Sequence, residues 1–110
     1  MSDRQDILKE FLESLDGCTI IVEGRKDASA LEAVGIDADS IVILNKGQSI
    51  LETVEAMQGE KDVAILTDMD REGKGLRRRL LRMFSQYGIE ENARPRELFA
   101  RLRLSHVEGL

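Results

Sequence analysis

Apolar residues follow two rhythms along this chain. Ile7, Leu8, Phe11, Leu12 and Leu15 recur at helical spacing with charges between them, which predicts an amphipathic helix over residues 3–15. Asp16-Gly17 closes it as a cap and turn. Cys18–Val22, Ile41–Leu44 and Val63–Thr67 are short, continuous apolar runs rich in β-branched residues. Runs without alternation predict strands buried on both faces, as in a parallel sheet. Between them, residues 27–34 suit a helix stopped by Gly35, and residues 49–57 suit one capped by Ser49 and broken by Gly59. A longer helix is expected from about residue 72 to 87, closed by Gly88.

The resulting β-α-β-α-β-α order, with a helix in front, predicts an α/β fold. Its sheet is mostly parallel, with helices on both faces and right-handed crossovers. Arg94–Leu102 reads as a short helix with Pro95 in its first turn. Arg103–Val107 is the expected place of a fourth, edge strand, and Gly88–Glu90 is the rival place.

Length and composition narrow the class. The 110 residues suit one domain, 42% hydrophobic and 34% charged. No run approaches the roughly 18 apolar residues of a membrane span, and no secretory signal is visible, so a cytoplasmic location is expected. One cysteine and one histidine exclude an internal disulfide and a Cys- or His-rich zinc centre. Residues 1–66 hold 6 Lys/Arg and 14 Asp/Glu, whereas 67–110 hold 10 and 7. A local basic footprint therefore coexists with a net charge of −5.

Each strong strand ends in a polar turn. These are Glu23-Gly24-Arg25-Lys26-Asp27, Asn45-Lys46-Gly47 and Asp68-Met69-Asp70-Arg71-Glu72-Gly73. Ligands of open α/β sheets bind outside the carboxyl ends of the strands, so the turns should meet at one edge. Glu23, Asp68 and Asp70 collected there would repel one another without a cation, and hard oxygen ligands suit Mg²⁺ or Mn²⁺. Asp68 and Asp70 stand two apart, so in an extended segment both side chains point the same way. Gly24, Gly47 and Gly73 permit close backbone approach or positive φ at the turns.

The helix after Asp70 carries a second signal. Leu76, Leu80, Met83, Phe84 and Tyr87 share one face. Arg71, Lys74, Arg78 and Arg82 share the opposite one, with Arg77 and Arg79 on the flanks and no acid between residues 73 and 83. Such a face suits a phosphate backbone, with Arg25 and Lys26 on the first turn as further contacts. Cys18 is expected to be a buried strand residue, and His106 reads as structural.

The two motifs, Ile21-Val22-Glu23-Gly24-Arg25-Lys26-Asp27 and Leu66-Thr67-Asp68-Met69-Asp70-Arg71-Glu72-Gly73, resemble those of the Toprim domain over roughly residues 18–107. Type IA and type II topoisomerases, bacterial-type primases, OLD-family nucleases, recombination mediators and the ribonucleases that mature 5S ribosomal RNA share it. The resemblance implies a Rossmann-like sheet of about four strands. It also implies Glu23 as general acid or base and Asp68 and Asp70 as Mg²⁺ ligands. Lys46, on the second turn, stands beside Glu23 as a catalytic candidate. The chain has no room for a tyrosine domain, zinc domain or winged helix, and Tyr87 falls on the apolar face of its helix. The likeness is therefore to the small ribonuclease-like or primase-like members. The leading expectation is a Mg²⁺-dependent nuclease acting on nucleic-acid phosphodiesters. The rivals are a non-catalytic subunit of a replication, repair or RNA-processing complex, working with protein partners, and a phosphotransfer enzyme on small substrates.

Overall fold

A computed structural model describes residues 3–44 and 49–110. The chain runs α1 (Arg4–Ser14), β1 (Thr19–Val22), α2 (Arg25–Ala33), β2 (Ile41–Ile43), α3 (Ile50–Ala56), β3 (Val63–Ile65), α4 (Arg71–Tyr87) and α5 (Arg94–Arg101). Short 3-10 turns at Ala38–Ser40 and Val107–Gly109 complete it. The three strands form one parallel sheet in the order β2-β1-β3. Ile21 is in register with Val42 on one side and Ile65 on the other. This is the α/β fold that the alternation predicts.

The sheet separates two apolar layers. Because successive strand residues point to opposite faces, Ile20 and Val22 join Phe11, Leu31 and Phe99 on one side. Ile21 turns the other way, to Val54, Leu80 and Phe84. Helices α1, α2 and α5 thus cover one face, and α3 and α4 the other. Phe11 and Phe99 tie α1 to α5, their ring centroids 5.6 Å apart.

Three expectations need correction. Residues 103–107 do not form a strand: after α5, Arg103 takes a positive φ of 58° and turns the chain back into the Val107–Gly109 turn. Among the described residues, pairing beyond β3 is confined to one parallel bridge, Val63 with Glu91, because Arg94-Pro95 starts a helix three residues later. Among the described residues the sheet therefore has three strands where about four are expected. Strand β2 is half-buried, as its edge position requires. Helix α2 also begins two residues earlier than its apolar pattern suggests. There Gly24 is the N-cap, and the Asp27 carboxylate accepts the Gly24 N–H at 3.2 Å. Lys46 and Gly47 lie outside the described residues. Among the described residues, no helix is long and apolar enough to cross a membrane.

Candidate metal centre

The carboxyl ends of β1 and β3 lie side by side, and the motifs that follow them meet. Glu23 Oε2 accepts the Asp68 N–H at 2.7 Å, joining the first motif to the second. Asp70 is the N-cap of α4, and its Oδ1 accepts the Gly73 N–H at 2.7 Å. The helix and loop approach closely because residue 73 is glycine: a Cβ there would sit 1.9 Å from the Asp68 carbonyl oxygen. Thr67 Oγ1 donates to the Gly73 carbonyl at 2.8 Å and closes the turn.

A third segment completes the edge. The Met69 N–H donates to the Ser105 carbonyl at 2.8 Å, and the Glu108 N–H donates to Asp27 Oδ1 at 3.2 Å. Val107 is fully buried between these tethers. They bring His106 over the loop, its Nε2 3.6 Å from Asp68 Oδ2. Its Nδ1 lies 2.7 Å from Ser105 Oγ. One ligand atom each from Asp68, Asp70 and His106 falls within 4.8 Å of the others. Two carboxylates and an imidazole at that spacing are a donor set suited to a divalent cation. Glu23 stands beside this group, held to the Asp68 backbone. The Asp68 carboxyl is pushed up to about 6, first by burial and then by the charge of Glu23, with His106 opposing the shift. A cleft of about 300 Å³ opens here between Glu23, Lys26, Asp68 and His106.

Beneath the loop lies Arg96, which is buried. Its Nη1 donates to the carbonyls of Ile65 and Thr67, both at 3.0 Å, and its Nη2 to that of Asp68 at 3.3 Å. Burial, ahead of the nearby Arg77, pulls its pKa below the ordinary guanidinium value. Arg96 fixes the backbone from which Asp68 projects. The sequence did hold a signal for it. A cation in the first turn of α5 sits at the positive end of the helix, where it is unfavourable unless something else holds it. His106 left no such signal in the sequence.

The basic helix divides by role. Arg77 is half-buried and forks onto Glu91 with bonds of 2.6 and 2.8 Å. Arg71, Lys74, Arg78 and Arg82 are exposed, and none has an ion-pair partner among the described residues. Arg25 and Lys26 are exposed beside the centre. A second cleft of about 300 Å³ lies between Met69, Lys74, Arg77, Arg78 and Arg96, so the loop has open space on either side.

Comparison with known proteins gives a consistent picture. The Toprim domain family model matches residues 18–102. A UPF0292 protein of Thermococcus onnurineus is 34% identical over 105 residues, covering 96% of this chain and 74% of that protein. One from Archaeoglobus fulgidus is 33% identical over 108 residues, covering 96% and 82%. One from Methanocaldococcus jannaschii is 30% identical over 95 residues, covering 86% and 74%. A solved structure of an Aquifex aeolicus protein superposes over 100% of both chains with a TM-score of 0.82 at 22% identity, a likeness of fold.

Proposed function

Since the chain belongs to the Toprim domain family, and with its archaeal relatives to the UPF0292 proteins, we propose that it is a nuclease dependent on Mg²⁺ or Mn²⁺, cutting nucleic-acid phosphodiesters in RNA processing. The observation that supports this most is the convergence of Asp68, Asp70 and His106 beside Glu23, at the start of a helix with an exposed basic face. Asp68 and Asp70 would hold the cation, which when bound neutralises phosphate charge and steadies the leaving oxygen. Glu23 moves the proton. Its Oε2 is anchored on the Asp68 N–H, and among the described residues Oε1 accepts no hydrogen bond and is left to hold a proton. Arg71, Lys74, Arg78 and Arg82 orient the backbone by phosphate contact without reading bases.

The test is a cleavage screen of structured RNAs and DNAs with Mn²⁺ and Mg²⁺, run on the native protein and on Glu23→Gln. We expect cleavage by the native chain. The variant should lose it by at least 100-fold and keep its metal and nucleic-acid binding. Binding without any cleavage by the native chain would replace this reading with a non-catalytic module. Full activity in Glu23→Gln would remove Glu23 from the proton transfer.

A further inference from the structure

We propose that His106 is a direct ligand of the cation held by Asp68 and Asp70, and that it tunes the site toward first-row transition ions such as Mn²⁺ in preference to Mg²⁺. This rests on the reading of Asp68 and Asp70 as cation ligands.

Three features of the imidazole support it. The first is distance. Two ligands each about 2 Å from one ion lie at most about 4 Å apart, and His106 Nε2 is 3.6 Å from Asp68 Oδ2. The second is the far side of the ring. A ligating histidine commonly donates its other ring N–H to an oxygen, which fixes the tautomer and leaves the first nitrogen bare for the metal. Ser105 Oγ, 2.7 Å from Nδ1, is such an oxygen. The third is the mounting. The segment is fastened on both sides of the imidazole, through the Ser105 carbonyl to Met69 N–H and through Glu108 N–H to Asp27. Val107, next in the chain, is fully buried. The ring is thus positioned by the loop that carries the two aspartates. Its chemistry sets the preference. Mg²⁺ favours oxygen and keeps its water, whereas Mn²⁺ and, increasingly, the transition ions after it also accept imidazole nitrogen.

The decisive measurement is pulsed electron paramagnetic resonance on the full-length protein loaded with Mn²⁺, beside calorimetric titrations with Mn²⁺ and with Mg²⁺. We expect a directly coordinated ¹⁴N coupling in the native protein that disappears in His106→Gln. Mn²⁺ affinity should fall about tenfold or more in that variant, and Mg²⁺ affinity by less than about threefold. Asp68→Asn should abolish the binding of both ions. If Mn²⁺ binds in an Asp68-dependent way without nitrogen coupling, the histidine assignment fails and the aspartate reading stands. If Asp68→Asn leaves Mn²⁺ binding unchanged, or if no Mn²⁺ binds, both fail. The spectrum of the native protein decides the matter even if His106→Gln proves unstable.

Discussion

The Asp68 carboxyl, raised to about 6, links the centre to pH. Burial is the main cause, followed by the charge of Glu23. His106 pulls the other way, and Asp27 and Asp70 add to the rise. A carboxyl raised in the folded state from 3.8 to about 6 binds more protons folded than unfolded across that interval. Metal-free stability should therefore fall as pH rises through it, by up to about 3 kcal/mol above pH 6. A cation at Asp68 offsets that cost and competes with the proton. The rise in melting temperature produced by Mn²⁺ should be small at pH 5 and larger at pH 7.5, which scanning fluorimetry at the two pH values measures. An equal rise at both would detach the cation from Asp68. Gly73 gives a second expectation at this scale. The Cβ of Gly73→Ala would lie 1.9 Å from a backbone oxygen that no side-chain rotation can move. The loss should be about 3 kcal/mol, at the upper end for overpacking, read by denaturant unfolding. Asp70 and Gly73 were legible in the sequence because they bond three residues apart, and Asp68 because it directly follows an apolar strand. His106 was not, since it stands 38 positions after Asp68 and its place depends on a turn made by Arg103 at φ 58°, where a glycine would have announced it.

Among the elements, α4 and α5 act on the loop from opposite directions. In α4, periodicity alone separated the buried Leu80 and Phe84 from the exposed Arg78 and Arg82. It could not separate Arg77, whose role is set by Glu91 in the connection after the helix. Replacing Arg78 and Arg82 together by alanine should weaken nucleic-acid binding about equally across sequences. It should flatten log affinity against log salt by nearly one unit for each phosphate that is no longer neutralised. Stability should change by under about 0.5 kcal/mol, because both side chains are exposed. Gel-shift titrations over salt check this, and an unchanged slope would make the stripe a solvated face. In α5, Arg96→Met keeps an unbranched apolar stem but removes the guanidinium and with it the donors to three carbonyls. Buried acceptors left unpaired cost about 1–3 kcal/mol each at most, and the turn can recover part of this by relaxing. A loss of about 3 kcal/mol in denaturant unfolding is expected. Weaker Mn²⁺ binding should accompany it, because the Asp68 backbone is freed. The lack of a fourth strand among the described residues escapes sequence reasoning for a similar reason. One bridge at Glu91 is too short to leave an apolar run, and the segment with a strand-like pattern is a tether.

For the whole molecule, the sheet order fixes what the site is made of. With β1 central and β3 beside it, the ends of the first and third strands are neighbours, so Glu23 and Asp68 meet although their motifs are far apart in sequence. The chain then crosses α4 and α5 and returns over that edge, covering Asp27 with Glu108 and the loop with Ser105. The last residues are thus part of both core and centre. Removing residues 105–110 would uncover the apolar layer around Val107 and break the bonds to Met69 and Asp27. A fully buried valine contributes about 1.5–3 kcal/mol and each of the two bonds about 1 kcal/mol, so the truncated protein should lose about 4 kcal/mol. At that cost it should remain folded at low temperature, with its melting temperature lower by about 10 °C or more. Val107→Ala in the full chain separates the two roles. It should lower stability by about 1–2 kcal/mol, because only two methyl groups are withdrawn from the layer. It keeps the imidazole and both backbone tethers, so the ¹⁴N coupling to bound Mn²⁺ should persist in it and be absent from the truncated protein. Persistence of the coupling after truncation would mean that the nitrogen comes from elsewhere, and the returning segment would then serve packing alone.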